Sequence, residues 1–154
     1  MEVEGVGLPG HFIVRQIVNE DSRLLIDVFD RGTLVSESDA KHLVRDYAGR
    51  ELSDQDMRAQ SVDEILARVL NNLLGIAGRD SDQEAIRRYC EAMVAIQPNS
   101  AEARLMRSQA RALTERHAGA IADLDWLIER EPPGFDVLQA EQLRDSLSRQ
   151  QTSE

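Results

Sequence analysis

Two hydrophobic periods divide this chain, and no single sheet or bundle accommodates both. Between Gly10 and Leu34 the apolar residues are β-branched and closely spaced, whereas from Ser61 onward they recur every three to four positions. The first pattern is that of strands and the second that of amphipathic helices. His11–Val18 and Arg23–Phe29 are predicted strands joined by a turn over Asn19–Ser22, and Asp30-Arg31-Gly32 turns the chain into a short third strand near Thr33–Val35. Gly5, Gly7, Pro9 and Gly10 exclude regular helix upstream. So small a hairpin is marginal in water unless something covers its apolar face.

Ser36 is a good N-cap, with acidic Glu37 and Asp39 behind it, and Gly49 is placed to end that helix. Residues 50–60 are polar and aperiodic, a predicted linker. Ser61-Val62-Asp63-Glu64 is a capping box, and the helix behind it carries Ile65, Leu66, Val69, Leu70, Leu73 and Leu74 as its apolar stripe, fading at Gly75 and Gly78. Four more helices follow. Asp82–Ile96 buries Ile86, Tyr89, Cys90, Met93 and Ile96, and Ser100 caps one with Leu105, Met106, Ala110 and Leu113 inside. His117–Arg130 uses Ala120, Ile121, Leu124, Leu127 and Ile128, and Asp136–Arg149 uses Val137, Leu138, Leu143 and Leu147. The predicted fold is therefore α+β and mostly α: a short antiparallel sheet over 1–49 with one helix, then an antiparallel helical stack over 61–154.

Composition narrows the partners. A formal net charge of −10 disfavours nucleic acid and anionic membrane, both of which reward clustered Lys and Arg. No stretch approaches the length of an apolar membrane span, and Met1-Glu2-Val3-Glu4 lacks the basic and apolar regions of a signal peptide, so a cytoplasmic protein is expected. The single cysteine, Cys90, allows no internal disulfide and sits on a buried stripe, where a packed thiol is the plain reading. His42 and His117 have no second ligand one turn away, so neither metal nor cofactor is expected.

The helices also repeat. Pro98-Asn99-Ser100 and Pro132-Pro133-Gly134 stand 34 residues apart, the tetratricopeptide (TPR) period, and each follows a helix pair. Ser100–Pro133 resembles one such repeat, with Ser108 and Ala120 at its small positions, and Ala67–Asn99 resembles a degenerate one. Arg104, Arg107 and Arg111 stand where large apolar residues are usual. They form a basic stripe that is either a solvated face paired to nearby carboxylates or, with Asn71 and Asn72, a receiver for an acidic peptide or a terminal carboxylate. Trp126 is expected to pack against the last helix.

The segment Pro9-Gly10-His11-Phe12, with Leu25-Ile26-Asp27-Val28-Phe29 and the helix Arg68-Val69-Leu70-Asn71-Asn72-Leu73, resembles the bacterial SirB-type family, in which a transglutaminase-like domain precedes a TPR region. The resemblance implies that His11 corresponds to the superfamily's catalytic-type histidine and Asp27 to the acid that orients it. A hairpin register that pairs Ile13 with Asp27 brings the two side chains to one face, and a slip of one residue separates them. The bland alternative is a turn-edge histidine and a solvated strand acid. By the same resemblance the nucleophile belongs well upstream of the histidine, where this chain has only ten residues, so a non-catalytic member is expected. The expected partner is a protein or peptide, and exposed strand edges offer a route to a homodimer.

Overall fold

The computed structural model describes residues 2–19 and 22–151. The chain divides into two compact units, Met1–Ile65 and Leu66–Glu154. Its class is α+β: an open antiparallel four-stranded sheet followed by six helices among the described residues.

In the first unit β1 (Glu2–Leu8), β2 (His11–Ile17), β3 (Arg23–Asp27) and β4 (Thr33–Val35) follow one another across the sheet in chain order. Val6 pairs with Ile13, and Arg15 with Leu25, which in turn pairs with Val35. Val6, Leu8 and Ile13 thus project from one face and are fully buried beneath Ala40 and Val44 of α1 (Glu37–Ala48). Each large side chain sealed there contributes roughly 1.5–3 kcal/mol. α1 is therefore the cover that the hairpin requires. It starts on a reciprocal Ser36–Asp39 capping box and ends on Gly49 at φ +66°, the helix that the sequence predicts.

β1 is an addition to the predicted strands. Its glycines hide the alternation, yet they are what the packing needs: a Cβ on Gly5 would lie 2.8 Å from Cζ of Phe12, and one on Gly7 would lie 2.2 Å from the Gln60 amide. Side chains from elsewhere in the unit fill the space that the glycines leave. In the turn after β2, Glu20 and Asp21 lie outside the described residues, and the Val18 and Asn19 N–H groups both donate to the Ser22 carbonyl. β3 ends at Asp27, two residues before its predicted end, because the Asp27 side chain takes up the next backbone donors.

Residues 50–60 contain no helix or strand, but Leu52 and Met57 pack against the sheet core. Arg50 grips Asp56 with two bonds of 2.7 Å, and the Gln60 N–H donates to the Gly5 carbonyl. The polar sequence there reflects the outward side chains of a packed loop, which also closes part of the β1 edge through an Ala59–Val6 bridge.

α2 (Val62–Asp80) leaves the first unit on a Ser61–Glu64 capping box. It runs through Gly75 and Gly78, where the sequence predicts fading. Each glycine costs about 1 kcal/mol relative to alanine, and buried Ala77 and packed Leu74 offset that. In the second unit α3 (Gln83–Ile96), α4 (Ala101–Leu113), α5 (His117–Arg130) and α6 (Val137–Gln151) each pack on the next. Ser100 caps α4 as predicted, and Asp82, predicted as the first residue of its helix, is the cap of α3. Small residues make the closest contacts: Ser108 and Ala120 are fully buried. Leu66, Val69, Leu113 and Leu138, predicted inside, are exposed. Leu113 is the last residue of α4, and Leu138 is out of phase with Ala140, Leu143 and Leu147, which carry the buried face of α6.

Candidate functional site

Pro9 and Gly10 close the β1–β2 turn, with Gly10 at φ +70°, a conformation that suits glycine. The ring of Tyr47 lies against Gly10, 2.2 Å from where a Cβ would be. This turn delivers His11 as the first residue of β2, while Asp27 is the last of β3. The ladder Val14–Ile26, carried one step further, sets Ile13 opposite Asp27, so His11 is its diagonal neighbour on the same face. The two side chains meet, His11 Nε2 to Asp27 Oδ2, at 2.7 Å.

Both carboxylate oxygens of Asp27 are used. Oδ1 accepts the N–H groups of Phe29 at 2.8 Å and Asp30 at 3.1 Å. Burial opposes ionisation of this carboxyl most strongly, but the His11 bond and the two N–H donors together hold it below its ordinary value. A carboxylate anchored in this way fixes the ring of His11. With the Nε2 proton donated to Asp27, the basic lone pair of neutral imidazole is on Nδ1. The pair is accessible, with side chains 26% and 15% exposed. Phe29 stands edge-on to the imidazole at 6.2 Å, and both Phe29 and Tyr47 are exposed.

Cys90 is sealed in the helical unit, and burial pushes its thiol up, away from the thiolate that a nucleophile requires. Among the described residues, no three His, Cys, Asp or Glu side chains are grouped to hold a metal ion. His42 is exposed on α1, and His117 opens α5. No helix among the described residues is long and apolar enough to cross a membrane.

The second unit brings Arg104, Arg107 and Arg111 together, but around carboxylates of its own. Asp123, only 1% exposed on α5, accepts Arg107 Nε at 2.8 Å and Nη2 at 2.5 Å, and Arg111 Nη1 at 2.8 Å. Arg111 also binds Glu91 of α3 at 2.8 and 2.7 Å, and Arg104 reaches Asp123 at 3.4 Å. The hydrogen bond to Asp123, foremost, holds the Arg107 guanidinium more firmly charged than usual. The guanidinium groups of Arg104 and Arg130 stand 4.2 and 4.3 Å from the ring of Trp126. Asn71 and Asn72 are exposed on α2, outside the network. Asp123 was passed over in the sequence, yet it has a signal: with Ala120, Leu124 and Leu127 it occupies the buried phase of α5.

A groove of about 560 Å³ opens beside α4 and α6. Leu105, Phe135 and Leu143 line it together with Gln109, Gln139 and Gln142. Among the described residues, none of those three side-chain amides has a hydrogen-bond partner.

Residues 1–71 match the family model described as transglutaminase-like superfamily, so the N-terminal region is a domain of that superfamily. A "UPF0162 protein" of Xylella fastidiosa strain 9a5c is 29% identical over 140 residues, covering 88% of this chain and 50% of that protein. The namesake from strain Temecula1 is 28% identical over the same shares. The chain thus spans about half the length of the curated relatives it matches. No solved structure matches it.

Proposed function

We propose that this chain is a non-catalytic protein-interaction module of the SirB-type family, in which a TPR-like helical unit binds a polypeptide and the transglutaminase-like sheet carries a vestigial His11–Asp27 pair. The observation that carries this reading is the groove beside α4 and α6. A side-chain amide both donates and accepts, as the main chain of an extended peptide does, and an apolar floor takes its side chains. The 34-residue spacing of the two proline-terminated helix pairs supports the repeat reading. Arg104, Arg107 and Arg111 then brace the scaffold, since Asp123 and Glu91 already occupy their donors. Panning a phage-displayed peptide library on the full chain tests this. Enriched peptides should lose binding to the Gln109→Ala/Gln139→Ala variant while circular dichroism is unchanged. Failure to enrich any sequence that distinguishes the two proteins would sink the proposal.

The 2.7 Å His11–Asp27 bond favours a second reading, a transglutaminase-like hydrolase or acyltransferase whose nucleophile is not in this chain. On that reading the chain accelerates acyl transfer from an activated ester to an added thiol: His11 takes the thiol proton, the thiolate attacks, and the alkoxide leaves. A rate that His11→Ala does not change ends it.

A further inference from the structure

The groove beside α4 and α6 has a sign as well as a shape. Its floor includes Leu105, Phe135 and Leu143, and neither lysine nor arginine is among the described residues that line it. α4 is rich in cations, yet Arg104, Arg107 and Arg111 are turned to Asp123 and Glu91. Arg144 of α6 is likewise held by Asp145 and Asp125. What α4 offers the groove is a different stripe. Glu102, Leu105 and Gln109 fall within an arc of about 60° on an ideal helix. At the start of α6 the matching stripe is Asp136, Gln139 and Leu143. Short connections at 114–116 and 131–136 set both helices antiparallel to α5, so α4 and α6 begin at the same end of the groove.

Two carboxylates mark that end. Asp136 spends Oδ1 on the Gln139 N–H, at 3.0 Å, which leaves Oδ2 for a partner. Among the described residues neither Glu102 nor Asp136 takes part in an ion pair. The helix dipole favours an acid at any helix start; here two of them share the mouth of a groove that no cation lines. We propose that the segment bound here is basic at one end and apolar beyond it. A Lys or Arg of the partner sits between Glu102 and Asp136, and an apolar residue lies over Leu143. This partner rests on the groove being a peptide site, as proposed above. Asp136 to Leu143 spans about 10.5 Å along the helix, which an extended chain covers in about three residues. The partner's sign is opposite to the one that the arginine stripe suggests in the sequence.

Peptides panned on the full chain should carry a Lys or Arg about three positions from an apolar residue. Fluorescence polarisation of a labelled enriched peptide then compares the parent with Glu102→Gln/Asp136→Asn, which keeps both shapes and the α6 cap. Affinity should fall about five- to tenfold, as two exposed ion pairs predict, and the difference should shrink in roughly 0.5 M salt. The same peptide with norleucine in place of its cation should bind both proteins alike. Peptides that need Gln109 and Gln139 but carry no cation, or that bind the neutralised variant as tightly as the parent, overturn the proposal and leave the groove standing. An acidic consensus does the same. If no peptide distinguishes the parent from Gln109→Ala/Gln139→Ala, the groove itself falls and its basic partner with it.

Discussion

Replacing Asp123 with Asn should destabilise the helical unit by about 2.5 kcal/mol. The substitution keeps shape and one acceptor but removes the charge on which α4 converges. Arg107 then keeps at most one of its two short bonds, without the opposite charge, beside Glu91 at 3.3 Å, whereas Arg111 retains two good bonds to Glu91. Breaking a buried ion pair costs about 3–5 kcal/mol when the orphaned charge has no recourse. Here the arginines are 14–18% exposed and Glu91 remains, so the cost falls somewhat below that range, to about 2.5 kcal/mol. Urea unfolding followed through Trp126, the chain's one tryptophan and an α5 residue, reports on this unit directly. With a slope of about 1.5 kcal/mol/M, the midpoint should fall by about 1.7 M. Adding Arg107→Met should recover part of the loss, because the uncompensated charge goes with it. A midpoint within about 0.3 M of the parent would refute the view that Asp123 organises these helices.

Two further substitutions separate backbone strain from packing in the first unit. Gly49→Ala meets open space and should cost only the left-handed penalty of about 1 kcal/mol. Gly10→Ala must also displace Tyr47 and should cost about 2–3 kcal/mol in all, so equal losses by thermal unfolding would contradict the packing at that turn. Acid should fray the start of α2. Arg58, then the Ser61 N–H, holds Glu64 at about 2, below its ordinary 4.5. A depressed carboxyl stabilises the fold above its unfolded value, so this contribution is complete above about 4.5 and lost as the pH falls toward 2. Amide exchange in the first turn of α2 should quicken through that window, and a pH-independent rate would count against the cap.

Much of this architecture is legible in the sequence because its punctuation is local. Ser36 and Gly49, Asp82, Ser100 and Pro132 each act within one turn of chain, and the helices they bound lie close to where they are predicted. The strand register is left between two choices by the sequence, and the ladder that begins at Val14–Ile26 selects the one that brings His11 and Asp27 to one face. What the sequence conceals is long-range satisfaction. β1 is obscured because its glycines are filled by Phe12 and Gln60. The arginine stripe is plain as a pattern, but nothing near Arg107 announces that its acceptor lies 16 residues on, on the next helix. An aspartate reads as surface until three cations surround it.

Asp27 and Asp123 make the same contrast from the side of function. Each is a carboxylate that receives several donors, and donor count alone does not distinguish a working group from a brace. Accessibility does. Asp123 is sealed, and every short bond it accepts comes from a guanidinium fixed on one neighbouring helix, so no ligand can approach it without unpacking α4 from α5. Asp27 spends one oxygen on its own turn and the other on an imidazole that is still a quarter exposed, beside two exposed rings. Geometry of the second kind can meet a substrate or a partner's side chain, and geometry of the first kind cannot. A mutation series on this chain should therefore divide in two. Changes at Asp123 and its arginines should move stability and leave any activity of the folded fraction intact. Changes at His11 should leave the unfolding midpoint of the helical unit where it was, and be felt only in whatever the sheet unit binds or does.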